Sequence, residues 1–139
     1  MRNTASLVTD NISELLVKII EFTRSRQKIL TQNINSINSP GFVPKDLVVD
    51  EFCSLINNAI DEHARSQRLM FRDTSNIKFG DSGKLDVQPT VDNCAEKLLK
   101  ENRNEYLEFQ ITKLSENSLN QRVAAVLLRQ KQEMISIFE

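Results

Sequence analysis

Glycine and proline are scarce in this chain. There are three of each in 139 residues, and all six lie between Pro40 and Pro89. Residues 1–39 and 90–139 therefore hold neither helix breaker. So little glycine leaves little with which to build a phosphate-cradling loop. Large aromatics are also few: no Trp, one Tyr and seven Phe. Charge of one sign is lacking, because 18 Lys and Arg face 19 Asp and Glu, a net of −1. That balance argues against non-specific nucleic-acid binding, which needs a basic excess. No run approaches the roughly 20 apolar residues of a membrane span, so the chain is not expected to cross a bilayer. Apolar residues make up 40% of the chain, and Asn and Gln together number 21. This composition suits an elongated helical protein whose best apolar surface is completed by a partner.

Local chemistry is equally sparse. The two cysteines, Cys53 and Cys94, have no CxxC spacing. They are expected to be two buried thiols or one disulfide. His63 is the only histidine, so no second imidazole is available for a metal. The carboxylate pairs Asp50/Glu51 and Asp61/Glu62 are sequence neighbours, which a helix points about 100° apart. They read as solvated groups rather than a general acid–base couple. Gly80-Asp81-Ser82-Gly83 reads as a turn, since no Lys-Ser/Thr follows it. No catalytic residue, cofactor site, metal site or small-molecule substrate is expected. Asp10, Glu14 and Lys18 interrupt the apolar residues from Leu7 to Ile20, so no cleaved secretory signal is expected.

The patterning predicts an all-α fold with long helices at both ends. Val8, Ile12, Leu15, Ile19 and Phe22 step by 4, 3, 4, 3. That is the heptad rhythm of a helix packing along a seam, and Leu16 widens it. This N-terminal helix is placed within residues 1–39, from about Ser6 to Asn38, roughly 50 Å long. Thr9 or Asp10 is a candidate N-cap. Residues 40–51 form a turn and connector. A middle helix is predicted over 52–72, with Asp46 or Asp50 as cap and an apolar stripe from Phe52 to Ala64. Residues 73–92 read as a variable loop in which Lys84–Gln88 alternates like a hairpin arm. A C-terminal helix is predicted over 93–139, starting near Val91 or Asn104. Leu107, Ile111 and Leu114 begin its stripe, and Leu119, Val123 and Leu127 continue it. Ser115-Glu116-Asn117-Ser118 is a polar interruption. The two terminal helices are expected to pair antiparallel as a coiled-coil-like module, with the middle region at the far tip.

One stretch is more particular. Asn33-Ile34-Asn35-Ser36-Ile37-Asn38-Ser39-Pro40-Gly41-Phe42 runs a polar helix end into a Pro-Gly turn followed by an aromatic. Pro second and Gly third in a turn suit type II, where Gly accepts the positive φ. The Asn side chains can bond helix-end carbonyls or neighbouring backbone.

This stretch resembles the N-terminal signature of the bacterial flagellar rod and hook axial proteins, Asn-Ile-Ala-Asn-x-x-Thr-Pro-Gly-Tyr/Phe. Asn33, Ile34, Pro40, Gly41 and Phe42 match it, and Ser39 replaces Thr conservatively. Asn35 and Ser36 stand where the pattern has Ala-Asn. Leu114-Ser115-Glu116-Asn117-Ser118-Leu119 followed by Val123-Ala124-Ala125 resembles the closing helix of the same family, with Asn120-Gln121-Arg122 differing from its usual Arg-Tyr-Gln. Lys45-Asp46 leading to Phe52, and the short length, resemble the B-type proximal rod member.

The resemblance implies a non-enzymatic structural subunit of the flagellar basal body that transmits torque from motor to hook. Its implied partners are other rod subunits, the ring-to-rod adaptor, the membrane ring and the flagellar type III export apparatus. The implied location is the periplasm-spanning rod, reached without a cleaved Sec signal. Ile12, Leu15, Leu16, Ile19, Leu107, Ile111, Leu114, Leu119, Val123 and Leu127 are the expected assembly interface. The competing expectation is a helical adaptor or export chaperone that binds a partner helix.

Overall fold

The computed structural model describes residues 4–80 and 84–138, with the side chains of 11–80 and 84–134. Eight elements follow one another. Helix α1 is Thr4–Asn35, strand β1 Lys45–Asp46, helix α2 Val49–Ser66, strand β2 Ile77–Phe79 and strand β3 Leu85–Val87. Strand β4 is Thr90–Val91, helix α3 Asn93–Glu101 and helix α4 Arg103–Phe138. The chain is mostly helical, with long helices at both ends. It also carries two small antiparallel sheets, β1 with β4 and β2 with β3. The β2–β3 hairpin lies where alternation at Lys84–Gln88 predicts an arm, with Ile77 opposite Val87 and Phe79 opposite Leu85. The β1–β4 pair was not expected: Lys45 sits opposite Val91 and Asp46 opposite Thr90.

The terminal helices run antiparallel along each other. Arg103 reaches Ile37 just beyond α1, Gln110 reaches Asn33, and Asn117 reaches Thr23, so positions advance along α4 as their partners retreat toward the start of α1. The middle region does not form a far tip, which corrects that expectation. It folds back along α1. Phe22 of α1 shares one buried cluster with Leu47, Phe52, Leu55, Ile56 and Ile77. Leu15, Ile19 and Ile29 pack against the same cluster, as do Phe79, Leu85 and Val87. Phe22 and Phe52 stack face to face, centroids 4.0 Å apart and planes 6° apart. Few aromatics suffice because the core is a thin seam between one helix and a folded-back arm. Burying an aliphatic or aromatic side chain in such a seam contributes about 1.5–3 kcal/mol.

Several boundaries differ from expectation for local reasons. Helix α1 gives way after Asn35 to three turn residues rather than continuing to Asn38. Thr9 and Asp10 lie inside it, so neither caps it. Helix α2 begins at Val49 behind Val48, without a side-chain cap. Asp50 lies in its first turn, where a carboxylate favours the helix dipole. The helix ends at Ser66 instead of Arg72, because Gln67 turns left-handed at φ 63° and donates its N–H to the His63 carbonyl. The expected single C-terminal helix is two. Asp92 caps α3 by accepting the Ala95 N–H at 3.0 Å. Asn102 then takes an extended conformation and accepts the Glu105 N–H, which starts α4.

Candidate functional site

The turn after α1 is built from the residues that drew attention in the sequence. Phe42 donates its N–H to the Ser39 carbonyl at 3.2 Å, and Gly41 sits at φ +73°. This is the type II geometry expected from Ser39-Pro40-Gly41-Phe42. Nothing lies within 4 Å of where a Gly41 side chain would stand, so the backbone angle alone calls for glycine there.

Asn33 anchors the turn from inside. It is buried, and its side-chain amide behaves as a substitute peptide group beside β1. Its Nδ2 donates to the Lys45 carbonyl at 2.7 Å and its Oδ1 accepts the Lys45 N–H at 3.2 Å. The same Nδ2 donates to Gln110 Oε1 on α4 at 3.1 Å. The Asn33 carbonyl, free at the helix end, accepts the Tyr106 hydroxyl at 2.7 Å. Burial, with the nearby Asp92 carboxylate, pushes the Tyr106 phenol up to about 12, so it stays protonated and keeps donating. Arg103 closes the end by donating to the Ile37 carbonyl and to Asn38 Oδ1. Ile34 is half-buried beside Asn33, while Ser39 and Pro40 are exposed.

A charged cluster fastens the strands to both long helices. Arg26 of α1 grips Asp46 with two bonds of 2.9 Å. Lys113 of α4 bridges Asp46 at 3.0 Å and Asp92 at 2.6 Å. It also lies 4.3 Å from the centre of the Phe109 ring. These four charged side chains are 11–20% exposed. Burial alone would raise the Asp46 carboxyl. The hydrogen bonds and charges of Arg26 and Lys113 outweigh it and hold the group below its ordinary 3.8. Asp46 was expected to cap α2 and instead belongs to this cluster.

The expected assembly residues divide into two sets. Leu16 is buried within the chain, and Leu15 and Ile19 pack on its core. Ile12, Leu107 and Leu114 are half-buried. By contrast Ile111, Leu119, Val123 and Leu127 stand out from α4, 43–59% exposed. Val126 and Met134 join them as exposed apolar side chains. From Leu119 to Met134 these residues form one ridge. It faces away from Tyr106, Gln110, Asn117 and Ala124, the buried positions of α4.

The polar stretch at 115–118 does not interrupt α4. Asn117 is buried against α1, donating to the Thr23 carbonyl at 2.7 Å and to Gln27 Oε1 at 3.1 Å. Ser118 also bonds Gln27. The expectation for the cysteines also changes. Cys53 and Cys94 are both free and exposed, neither buried nor joined. They sit on the solvent faces of α2 and α3, where the helix stripes point Phe52 and Ala95 inward instead.

The remaining surfaces offer little chemistry. A cleft of about 660 Å³ lies between α2 and the segment after it, bordered by Asn58, Asp61, Arg65 and Arg72. Its Glu51 is occupied with the Asn76 backbone and side chain, and its Glu62 with Arg65. His63 is half-buried on α2. Among the described residues no group of three or more His, Cys, Asp or Glu is placed to hold a metal ion. Asp81, Ser82 and Gly83 of the expected turn lie outside the described residues. No described helix is long and apolar enough to cross a membrane.

Comparison with protein families, with characterised proteins and with solved structures finds no match to this chain.

Proposed function

We propose that this chain is a structural subunit of the bacterial flagellar basal body, of the B-type proximal rod class, and that it is not an enzyme. In this reading the terminal helices pair as a coiled-coil-like module and pass torque to neighbouring subunits. The partners are other rod subunits, the ring-to-rod adaptor and the membrane ring, and the chain reaches the periplasm through the flagellar type III apparatus. The supporting observation is the ridge of α4. Five large apolar side chains from Leu119 to Met134 stand exposed on one helix face, while the turn that carries the family-like residues is locked to the same helix. A contiguous exposed apolar surface marks an interaction site. Locking the turn to α4 gives a stiff body, which a load-bearing subunit requires.

The experiment pairs fractionation with ridge substitutions. The protein is expected in purified basal bodies; recovery only from the soluble fraction favours the adaptor or chaperone reading instead. Leu119→Asp and Val123→Asp are expected to abolish swimming while the subunit is still exported and folded, because both positions already face water. Their effect on monomer stability should stay within about 0.5 kcal/mol. Leu16→Asp buries a charge and should unfold the chain, so it tests stability rather than assembly. Normal swimming of both ridge variants would sink the proposal.

A further inference from the structure

We propose that the hydrogen-bonded base of α4 is a rotational lock: the side chains from Arg103 to Asn117 fix how the whole helix is turned, and so hold its apolar ridge away from α1. This setting stands whether or not the chain is a rod subunit. Arg103, Gln110 and Asn117 recur every seventh residue, and Ala124 continues the line. A straight helix drifts about 20° per seven residues, so the four stay within about 60° of one another. The first three each bond α1 or the turn after it: Arg103 at the Ile37 carbonyl, Gln110 at Asn33 and Asn117 at the Thr23 carbonyl. Tyr106 joins them at the Asn33 carbonyl, and Lys113 ties the same side of the helix to Asp46 and Asp92. Tyr106, Gln110 and Asn117 are at most 1% exposed. Any other rotation would leave buried polar groups unpaired.

The upper half of α4 has no comparable hold. Its last hydrogen bond to α1 among the described residues is made by Ser118. Beyond Asn117, Ala124 is the one buried residue among the described side chains of the helix. Two residues turn a helix by about 200°, which places Leu119 opposite Asn117 and Val126 opposite Ala124. Burial alone would favour the other face, since Leu119, Val123, Val126, Leu127 and Met134 each carry more apolar area than one Ala. The helix runs unbroken from Arg103 to Phe138 and contains neither Gly nor Pro, so its base and its upper half turn together. The base sets the angle, and the upper half follows with its small residue inward.

A one-residue insertion in the full chain sets the base and the upper half against each other. Cys53→Ser and Cys94→Ser first remove the exposed thiols. An extra alanine between Ser118 and Leu119 preserves the helix and leaves every bonded side chain of the base in place. It turns all later residues by about 100° relative to that base, and Val123 takes the place that Ala124 held. Val123→Cys and Ala124→Cys are made one at a time, with and without the insertion, and their reaction with an aromatic disulfide reagent is timed. Without the insertion, the thiol at position 123 is expected to react at least about tenfold faster than the one at 124. With it, the order should reverse. Retention of the parental order in the inserted chain would show that packing around Ala124 sets the rotation, and would overturn the lock. Equal reactivity of the two thiols would overturn it as well, because the upper half would then be detached rather than turned. So would loss of helicity, since the base is untouched. Insertion of four alanines at the same point turns the upper half about 40° past a full turn and should keep the parental order. Reversal there would likewise count against the lock.

Discussion

Asn33 shows how much one side chain can settle. Its amide satisfies the N–H and C=O of Lys45 and meets Gln110 across the helix pair. Asn33→Ala removes three hydrogen bonds and leaves partly buried groups unpaired. We expect a loss of about 3 kcal/mol, read as a lower midpoint in urea at unchanged slope. Gly41 contributes through its backbone alone. Gly41→Ala should cost about 1 kcal/mol from the positive φ. Gly41→Asn should cost less, because Asn tolerates that region. A loss of 3 kcal/mol or more in Gly41→Ala would point to a steric contact that the open space around the residue does not provide. The turn was legible in the sequence because proline and glycine dictate dihedral angles locally. The partners of Asn33 were not, since Lys45 and Gln110 lie 12 and 77 residues away.

At the level of elements, Lys113 joins pieces that no local pattern connects. It ties α4 to β1 through Asp46 and to the α3 cap through Asp92. Lys113→Met leaves Asp92 without its cation and Asp46 with Arg26 alone. A loss of about 2 kcal/mol is expected, with little relief from added salt, since the groups are mostly shielded. The pH response follows from Asp46. Its folded pKa lies below the unfolded one, so its stabilisation is present above the unfolded value of about 4. It is lost as pH falls through the folded value. Chemical denaturation should give a flat contribution from pH 5 to 8 and a fall below about pH 4, diminished in Lys113→Met. Growth of this contribution with acidity would contradict the assignment.

The same scale explains what patterning missed. Strands β1 and β4 are two residues each, too short for any alternation to register. The apolar residues Met70 and Phe71 extend the stripe of α2 in sequence, but Gln67 reverses the chain before them. Asn117 falls in a run that reads as a gap in the hydrophobic stripe. In the folded chain it is a contact point between helices.

For the whole molecule, the long terminal helices and their antiparallel course were legible from breaker-free ends with helical periodicity. Which apolar residues serve the chain itself was not. Periodicity marks a buried or buriable face without naming its partner. Leu15 and Ile19 turn inward because the arm from β1 to β3 returns along α1, while Leu16 is buried apart from that cluster. The ridge from Leu119 to Met134 remains because nothing in the described chain returns along α4 on that side.

The separation between the two sides of α1 also orders events in time. The cluster around Phe22 draws only on residues before Val91, so it closes from contacts available early in synthesis. The bonds from α4 to α1 and to the turn after it span 65 to 94 residues and complete only when the C-terminal helix arrives. Docking of α4 is then expected to be a late step of folding, since distant contacts cost the most closure entropy. A chain held unfolded for passage through a narrow channel would regain its α1 core first and present the ridge only after that late step.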